Sequence, residues 1–295
     1  MPGIILDGRK ISAEIKEELK ERVRRLRDKG IIPELAGILV GENPDSVTYI
    51  KLKEKGSTEV GIYSQIIKLP QDVAERELFQ EIMRLNSNAE IHGIFIQLPL
   101  PAHLNEGKVL SFIFPDKDVD GLHPLNIGRA WLGQPGFLPA ASIGIYELLI
   151  RYGYNVKDKR VIIINADNLL GKPLASILVQ EKEGANVTLC HPSTPNLASY
   201  TRTADILVVS VNKPNFITAD MVKKGVIVID FGANYVEESF NKGKGKLVGD
   251  VDFEAVKEKA EAITPVPGGV GPMTVTMLLA NTVTAAERKA GWRIT

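Results

Sequence analysis

Short apolar runs bounded by Gly, Pro, Asn and Asp alternate with stretches of helical periodicity from one end of this 295-residue chain to the other. That alternation constrains the fold more than any other feature. A strand, a helix running back and a further strand make a βαβ unit, and repeated units make α/β architecture with a mainly parallel sheet. The first helix is expected from about Ser12, which caps it. Ile15, Leu19, Val23 and Leu26 form its apolar stripe, and Gly30 stops it. Residues 35–40 read as a buried strand. The turn at 41–44 leads to a second helix that Ser46 can cap. Residues 62–69 are a strand, Asp72 and Glu75 suggest a capping box for a helix ending near Asn86, and 92–97 is a strand broken by Leu98-Pro99-Leu100-Pro101.

The second half repeats the rhythm more plainly. Strands are expected at 160–165, 186–190, 205–211 and 226–230, with a helix at 171–183 between the first two. Each strand runs into a loop of Gly, Pro, Asn or Thr, as in a dinucleotide-binding fold. A last short strand at 262–264 precedes a Gly/Pro turn and a final helix at about 272–289. There is no internal repeat and no low-complexity tract.

Composition narrows the function classes. Lys and Arg total 36 and Asp and Glu total 36, so nothing points to a polyanion such as nucleic acid as partner. Residues 242–246 are basic and Gly-rich and read as a solvated loop. Cys190 is the sole cysteine, which excludes an intramolecular disulfide and a cysteine zinc cluster. His92, His103, His123 and His191 lack metal-ligand spacing. No apolar run approaches the ~20 residues of a membrane span, and the N-terminus lacks a signal-peptide pattern. A reducing cytosol or organelle matrix is the expected setting.

Four strings carry chemistry. In Ser46-Val47-Thr48-Tyr49-Ile50-Lys51-Leu52-Lys53, Tyr49 and Lys53 are four apart and share a helix face. A hydroxyl beside an ammonium polarises a substrate oxygen or positions water; the same spacing also describes a solvated lysine over a half-buried tyrosine. In Gly93-Ile94-Phe95-Ile96-Gln97-Leu98-Pro99-Leu100-Pro101, Gln97 stands at the carboxyl edge of a sheet, where α/β proteins bind ligands, or it ties up loop carbonyls. In Lys117-Asp118-Val119-Asp120-Gly121, EF-hand spacing is absent. A carboxylate there either accepts two parallel hydrogen bonds from an amidine-like heterocycle or bonds its own turn. In Thr264-Pro265-Val266-Pro267-Gly268-Gly269-Val270-Gly271-Pro272-Met273-Thr274, two prolines enter a glycine run that lets backbone N–H groups approach a ligand closely.

Together these strings closely resemble the methylenetetrahydrofolate dehydrogenase/methenyltetrahydrofolate cyclohydrolase family. The resemblance runs from about Asp7 to about Ala286; the 264–274 string is its most specific part and residues 116–128 support it. It implies a folate-binding catalytic domain of residues 1–140 and 272–295 and a Rossmann-like cofactor domain of residues 141–271. It also implies that Lys53 is the central catalytic residue and Tyr49 its neighbour, that Gln97 tunes Lys53, and that Asp120 holds the pterin ring. Ile96, Leu98, Pro267, Gly268 and Gly271 would complete the substrate contacts. The implied chemistry is hydride transfer from 5,10-methylenetetrahydrofolate to NADP or NAD, then hydrolysis of the methenyl cation to 10-formyltetrahydrofolate. A Lys53 with its pKa lowered by burial would handle the proton. No metal is called for, because the electrophile already carries positive charge. A cytoplasmic homodimer in one-carbon metabolism and purine biosynthesis, with no nucleic-acid or membrane partner, is the expectation.

Around the cofactor the chain departs from the family. Where Gly-Arg-Ser and then Val-Gly-x-Pro are usual, it reads Asn165-Ala166-Asp167-Asn168-Leu169-Leu170-Gly171-Lys172-Pro173. Cofactor contacts map to Asn165, Ala166, Asp167, Gly171, Pro192 and Ala233. Ala166 and Asp167 stand where an arginine and a serine are expected near the ribose 2′-phosphate, and Pro192 stands where another polar contact is expected. Ala166 has no side-chain donor and Pro192 no backbone N–H. Asp167, facing the ribose, would repel a 2′-phosphate and accept from free hydroxyls. Weak preference for NADP, or use of NAD, follows. The competing readings are a cyclohydrolase whose cofactor site has decayed, an NAD-specific dehydrogenase and, from another class, a non-catalytic folate-binding protein. Retention of Lys53, Tyr49, Gln97 and Asp120 argues against the last.

Overall fold

A computed structural model of the chain describes residues 2–165, 167–237 and 245–292. In chain order its elements begin with β1 (Ile4–Ile5), α1 (Gly8–Arg27), β2 (Glu34–Val40), α2 (Pro44–Val60), β3 (Tyr63–Leu69), α3 (Glu75–Ser87) and β4 (Gly93–Ile96). There follow α4 (Glu106–Leu110), α5 (Pro124–Trp131), α6 (Ala140–Arg151), β5 (Arg160–Ile164), α7 (Gly171–Leu178), β6 (Asn186–Cys190), α8 (Leu197–Thr201) and β7 (Ile206–Val209). After a 3-10 turn at Ala219–Met221 come β8 (Ile227–Asp230), β9 (Asn234–Glu237), β10 (Gly245–Val248), α9 (Phe253–Lys257), β11 (Ala262–Ile263) and α10 (Val270–Lys289). The α/β class with mainly parallel sheets is as the sequence implies. The elements fall into two compact units, Ala13–Ala140 with Val275–Thr295, and Met1–Ser12 with Ala141–Thr274.

The first unit holds a three-stranded parallel sheet in the order β3-β2-β4. Its core includes Ile38, Leu78, Ile82, Leu85 and Ile94. The stripe Ile15, Leu19, Val23 and Leu26 on α1 is buried throughout. The chain returns to this unit at the end: on α10, Asn281 Nδ2 donates to the Val119 and Leu138 carbonyls at 2.8 and 3.0 Å.

Helix starts are where local chemistry overrides the periodic pattern. α1 begins at Gly8 and not near Ser12, because the Asp7 carboxylate accepts from Arg9 N and Lys10 N. α2 is capped by Asn43, which accepts from Asp45 N and Ser46 N; Ser46 lies inside the helix. Asp72 and Glu75 make no capping box: α3 starts at Glu75 itself, with Ala74 at the cap and no side-chain bond there. α7 ends at Leu178, short of the expected 183. Of the basic 242–246 segment, read as a loop, residues 242–244 lie outside the described residues, while Gly245 and Lys246 pair antiparallel with β9.

The second unit holds a six-stranded parallel sheet in the order β1-β11-β8-β7-β5-β6. The N-terminal segment belongs here. Ile4 pairs with Ala262 and Ile5 with Ile263, a two-residue strand too short to show as a periodic pattern. β7 and β8 are buried from end to end, as expected of parallel strands covered on both faces. From β5 the chain passes through α7 to β6 on one side, and β7 lies on the other side of β5. The carboxyl ends of β5 and β7 therefore flank a topological switch point, where open α/β sheets bind their ligands.

Candidate active site

In the first unit, α2 and β4 supply the central pair. Lys53 is 7% exposed and its Nζ donates to Gln97 Oε1 at 3.1 Å. A lysine ammonium only donates, so the amide oxygen faces it. Gln97 Nε2 in turn donates to the Leu98 carbonyl at 2.9 Å, and Gln97 N to the Ile38 carbonyl at 2.9 Å. Gln97 thus ties the loop and also holds the lysine. Lys53 Nζ also lies 3.9 Å from the centre of the Phe95 ring. Phe95 on β4 and Gln97, the residue just past its end, are two apart and both meet Lys53 Nζ. Gly37 on β2 sits opposite Phe95, and a Cβ there would come within 2.3 Å of the ring. The glycine makes room for the ring, and the ring floors the lysine.

Asp118 and Asp120 have opposite duties. Asp118, 1% exposed, accepts from Leu122 N at 3.2 Å, His123 N at 2.8 Å and Asn126 Nδ2 at 2.8 Å. It is the turn-forming acid. Burial pushes its carboxyl above the usual range, against the pull of those donors. Gly121 closes the turn at φ 73° with the Leu138 backbone pressed against the place of a Cβ. That turn leaves Asp120 electrostatically coupled to Lys53. Burial pushes the Asp120 carboxyl up, and the Lys53 ammonium pulls it down less strongly. Burial likewise pushes the Lys53 ammonium down, and Asp120 pulls it up less strongly. Lys53 and Asp120 are thus a desolvated amine and a desolvated carboxyl, each favouring the charged form of the other.

Tyr49 lies one turn before Lys53 on α2 and is 39% exposed. Ile96 belongs to the core and Leu98 packs on it half-buried, so their side chains serve the sheet. Phe95 and Asp118 were not among the candidates read from sequence. The two-residue spacing from Gln97 was the available signal for Phe95.

In the second unit, the loop after β5 turns at the switch point. Asn165 has φ 143°, a backbone conformation rarely adopted by residues other than glycine. Its Nδ2 donates to Asp167 Oδ2 at 2.8 Å and its Oδ1 accepts from Asp167 N at 3.0 Å. Asp167 Oδ1 accepts from Leu169, Leu170 and Gly171 N at 3.1, 2.8 and 3.2 Å. Its carboxylate is therefore turned onto the chain at the start of α7, where the sequence reading faced it toward a ribose. Ala166 lies outside the described residues. Lys172 Nζ donates to Asn168 Oδ1 at 2.9 Å within the same turn. After β6, Pro192 sits among His191, Ser193 and Thr194. His191 N donates to Thr194 Oγ1, and Ser193 N to His191 Nδ1. Ala233 is exposed after β8. Pro267 and Gly268 lie in the turn before α10, where Gly268 O accepts from Gly8 N, and Gly271 is in the helix's first turn.

Two buried acids that sequence reasoning passed over brace this edge. Asp250 accepts from Val211, Asn212 and Lys213 N, and Asp230 from Gly232, Asp250 and Val251 N. Burial pushes the Asp230 carboxyl up to about 6. A dinucleotide fits this unit by its switch point, by the helix that starts beside it and by these braced loops. Among the described residues, no group of three His, Cys, Asp or Glu is placed to hold a metal ion, and no helix is long and apolar enough to cross a membrane.

Residues 6–120 match the family model of the tetrahydrofolate dehydrogenase/cyclohydrolase catalytic domain, and residues 139–290 match that of the family's NAD(P)-binding domain. The chain belongs to the tetrahydrofolate dehydrogenase/cyclohydrolase family. It is 51% identical over 294 residues to the bifunctional protein FolD of Dehalococcoides mccartyi strain CBDB1, covering 99% of each chain. Among solved structures, it is similar to the bifunctional FolD enzyme of Campylobacter jejuni, with 47% identity, a TM-score of 0.92 and coverage of 96% of this chain and 98% of the other. It is also similar to the Trypanosoma brucei FolD complexed with NADP and an inhibitor, with 37% identity, a TM-score of 0.93 and coverage of 98% and 99%.

Proposed function

We propose that this protein oxidises 5,10-methylenetetrahydrofolate to the 5,10-methenyl form and hydrolyses that product to 10-formyltetrahydrofolate. The observation that carries the reading is Lys53 held by Gln97 Oε1 at 3.1 Å, buried, with its pKa depressed and coupled to Asp120. A nicotinamide dinucleotide, when bound, accepts the hydride. The chain's own task in that step is to orient folate: Asp120 accepts from the pterin and Tyr49 lines the open side of α2. In the hydrolytic step water adds to the cationic methenyl carbon and must lose a proton. Neutral Lys53 takes that proton, which leaves a neutral carbinolamine. As the carbinolamine's bond to the ring nitrogen breaks, that nitrogen takes the proton from Lys53, and the remaining hydroxyl proton passes to solvent as the formyl C=O forms. Desolvation makes the neutral amine available, and Gln97 keeps it aimed.

The loop after β5 takes the cofactor in this reading, and discrimination for NADP is weak. Lys172 is tied to Asn168, and Pro192 offers no N–H. A cytoplasmic homodimer is part of the same proposal, and light scattering reads the assembly. The deciding assay follows methenyltetrahydrofolate absorbance with NADP, with NAD and without either. Methenyl formation with both cofactors, and its decay without any, is expected. No decay, or a hundredfold preference for NADP, contradicts the corresponding half.

A further inference from the structure

In a dinucleotide-binding α/β unit, the helix that follows the central strand at the switch point offers its first backbone N–H groups to the pyrophosphate. Here that helix is α7, of eight residues, and its entry is already filled by an anion that belongs to the chain. Asp167 Oδ1 accepts from three successive N–H groups, those of Leu169, Leu170 and Gly171. Asp167 Oδ2 is held by Asn165 Nδ2, on a residue with φ 143°. The nearest cation in the turn, Lys172, donates to Asn168 and not to Asp167. A carboxylate and a pyrophosphate compete for the same donors, and side by side the two like charges repel.

We propose that Asp167 is the residue that sets dinucleotide affinity in this chain, acting as an internal competitor of the cofactor's pyrophosphate at the start of α7. This rests on the cofactor reading above and adds to it. A dinucleotide binds when the Asp167 side chain gives up the three N–H groups, and the carboxylate then remains beside the phosphates. Both costs fall on the part that NAD and NADP share. Asp167 therefore lowers affinity for both and leaves the choice between them to other residues. A neutral residue in its place frees or shares the donors without the charge.

The test measures dissociation constants by calorimetry for NADP, NAD, ADP-ribose and adenosine with the wild type, Asp167→Asn and Asp167→Ser. Asparagine keeps an oxygen to cap α7 and removes only the charge; serine also removes most of the bulk. The expected result is about tenfold tighter binding of NADP, NAD and ADP-ribose by both variants, with no change for adenosine and a nearly constant NADP to NAD ratio. Unchanged or weaker binding of ADP-ribose by both variants, where the wild type binds it, overturns the role of Asp167 alone. An equal gain for adenosine also overturns it, because adenosine has no phosphate to compete. Failure of ADP-ribose to bind to any of the three proteins overturns the cofactor reading and this inference with it.

Discussion

Replacing Asp118 by asparagine tests whether the site is held by the turn beneath it. The carboxylate accepts from Leu122 N, His123 N and Asn126 Nδ2 at 3.2, 2.8 and 2.8 Å. An asparagine has one acceptor oxygen. With that oxygen in the Oδ2 position, His123 and Asn126 are served, and the new NH2 meets the Leu122 N–H, donor against donor. The other rotamer serves Leu122 and sets the NH2 against two donors. Asn126 cannot escape by flipping, because its Nδ2 also donates to the Pro115 carbonyl at 2.9 Å. One buried donor left unpaired costs about 1–3 kcal/mol. Relief of the desolvation that raises the Asp118 pKa offsets part of this, so about 2 kcal/mol of destabilisation is expected for Asp118→Asn. Asp118→Ala loses every acceptor and is expected to cost roughly 3–5 kcal/mol. Because the turn places Asp120, Asp118→Asn is also expected to lower folate kcat/KM roughly ten- to hundredfold. Urea unfolding at pH 7 and steady-state kinetics read the two effects. Wild-type stability, or lost stability with unchanged kcat/KM, refutes the reasoning.

Gly121→Ala adds a Cβ within 2.6 Å of the Leu138 backbone at φ 73°, and is expected to cost about 2–5 kcal/mol in urea unfolding. A loss under 1 kcal/mol contradicts the packing described. The hydrolytic rate is expected to rise with pH: burial lowers the Lys53 pKa below its ordinary 10.5, and the neutral amine is the active form above that lowered value. A flat or falling profile of methenyl hydrolysis over the same range argues against Lys53 as the base. The same shift has a stability consequence of fixed sign. Between the lowered value and 10.5 the unfolded chain binds the Lys53 proton more tightly, so stability rises with pH there, and Lys53→Met removes that slope.

The parallel α/β plan was legible because the centres of buried strands, 161–164 and 206–209, are unbroken apolar runs. The stripe on α1 was legible from its helical spacing. Helix starts were not. Asp7 and Asn43 cap by side-chain geometry that depends on where the preceding strand or turn delivers the chain, and periodicity carries no record of it. The β1 strand escaped because two residues give no period to read, and the β9–β10 pair because neither strand is a continuous apolar run. At the site, Tyr49 and Lys53 shared a face by spacing alone, and Gln97 stood at a strand end. The division of labour between Asp118 and Asp120 needed burial and donors to resolve. Asp167 shows the limit most clearly. Its charge was visible in the sequence, but the direction its carboxylate takes is set by the N–H groups of α7.

The central claim is that Lys53 carries the hydrolytic step, and Lys53→Met tests it most directly. Methionine keeps the apolar stem over Phe95 and removes the amine that Gln97 holds. Methenyltetrahydrofolate hydrolysis by the variant is expected to fall roughly 10²–10⁴-fold while folate still binds within a few-fold of the wild type. Wild-type turnover of the methenyl substrate by Lys53→Met would contradict the account.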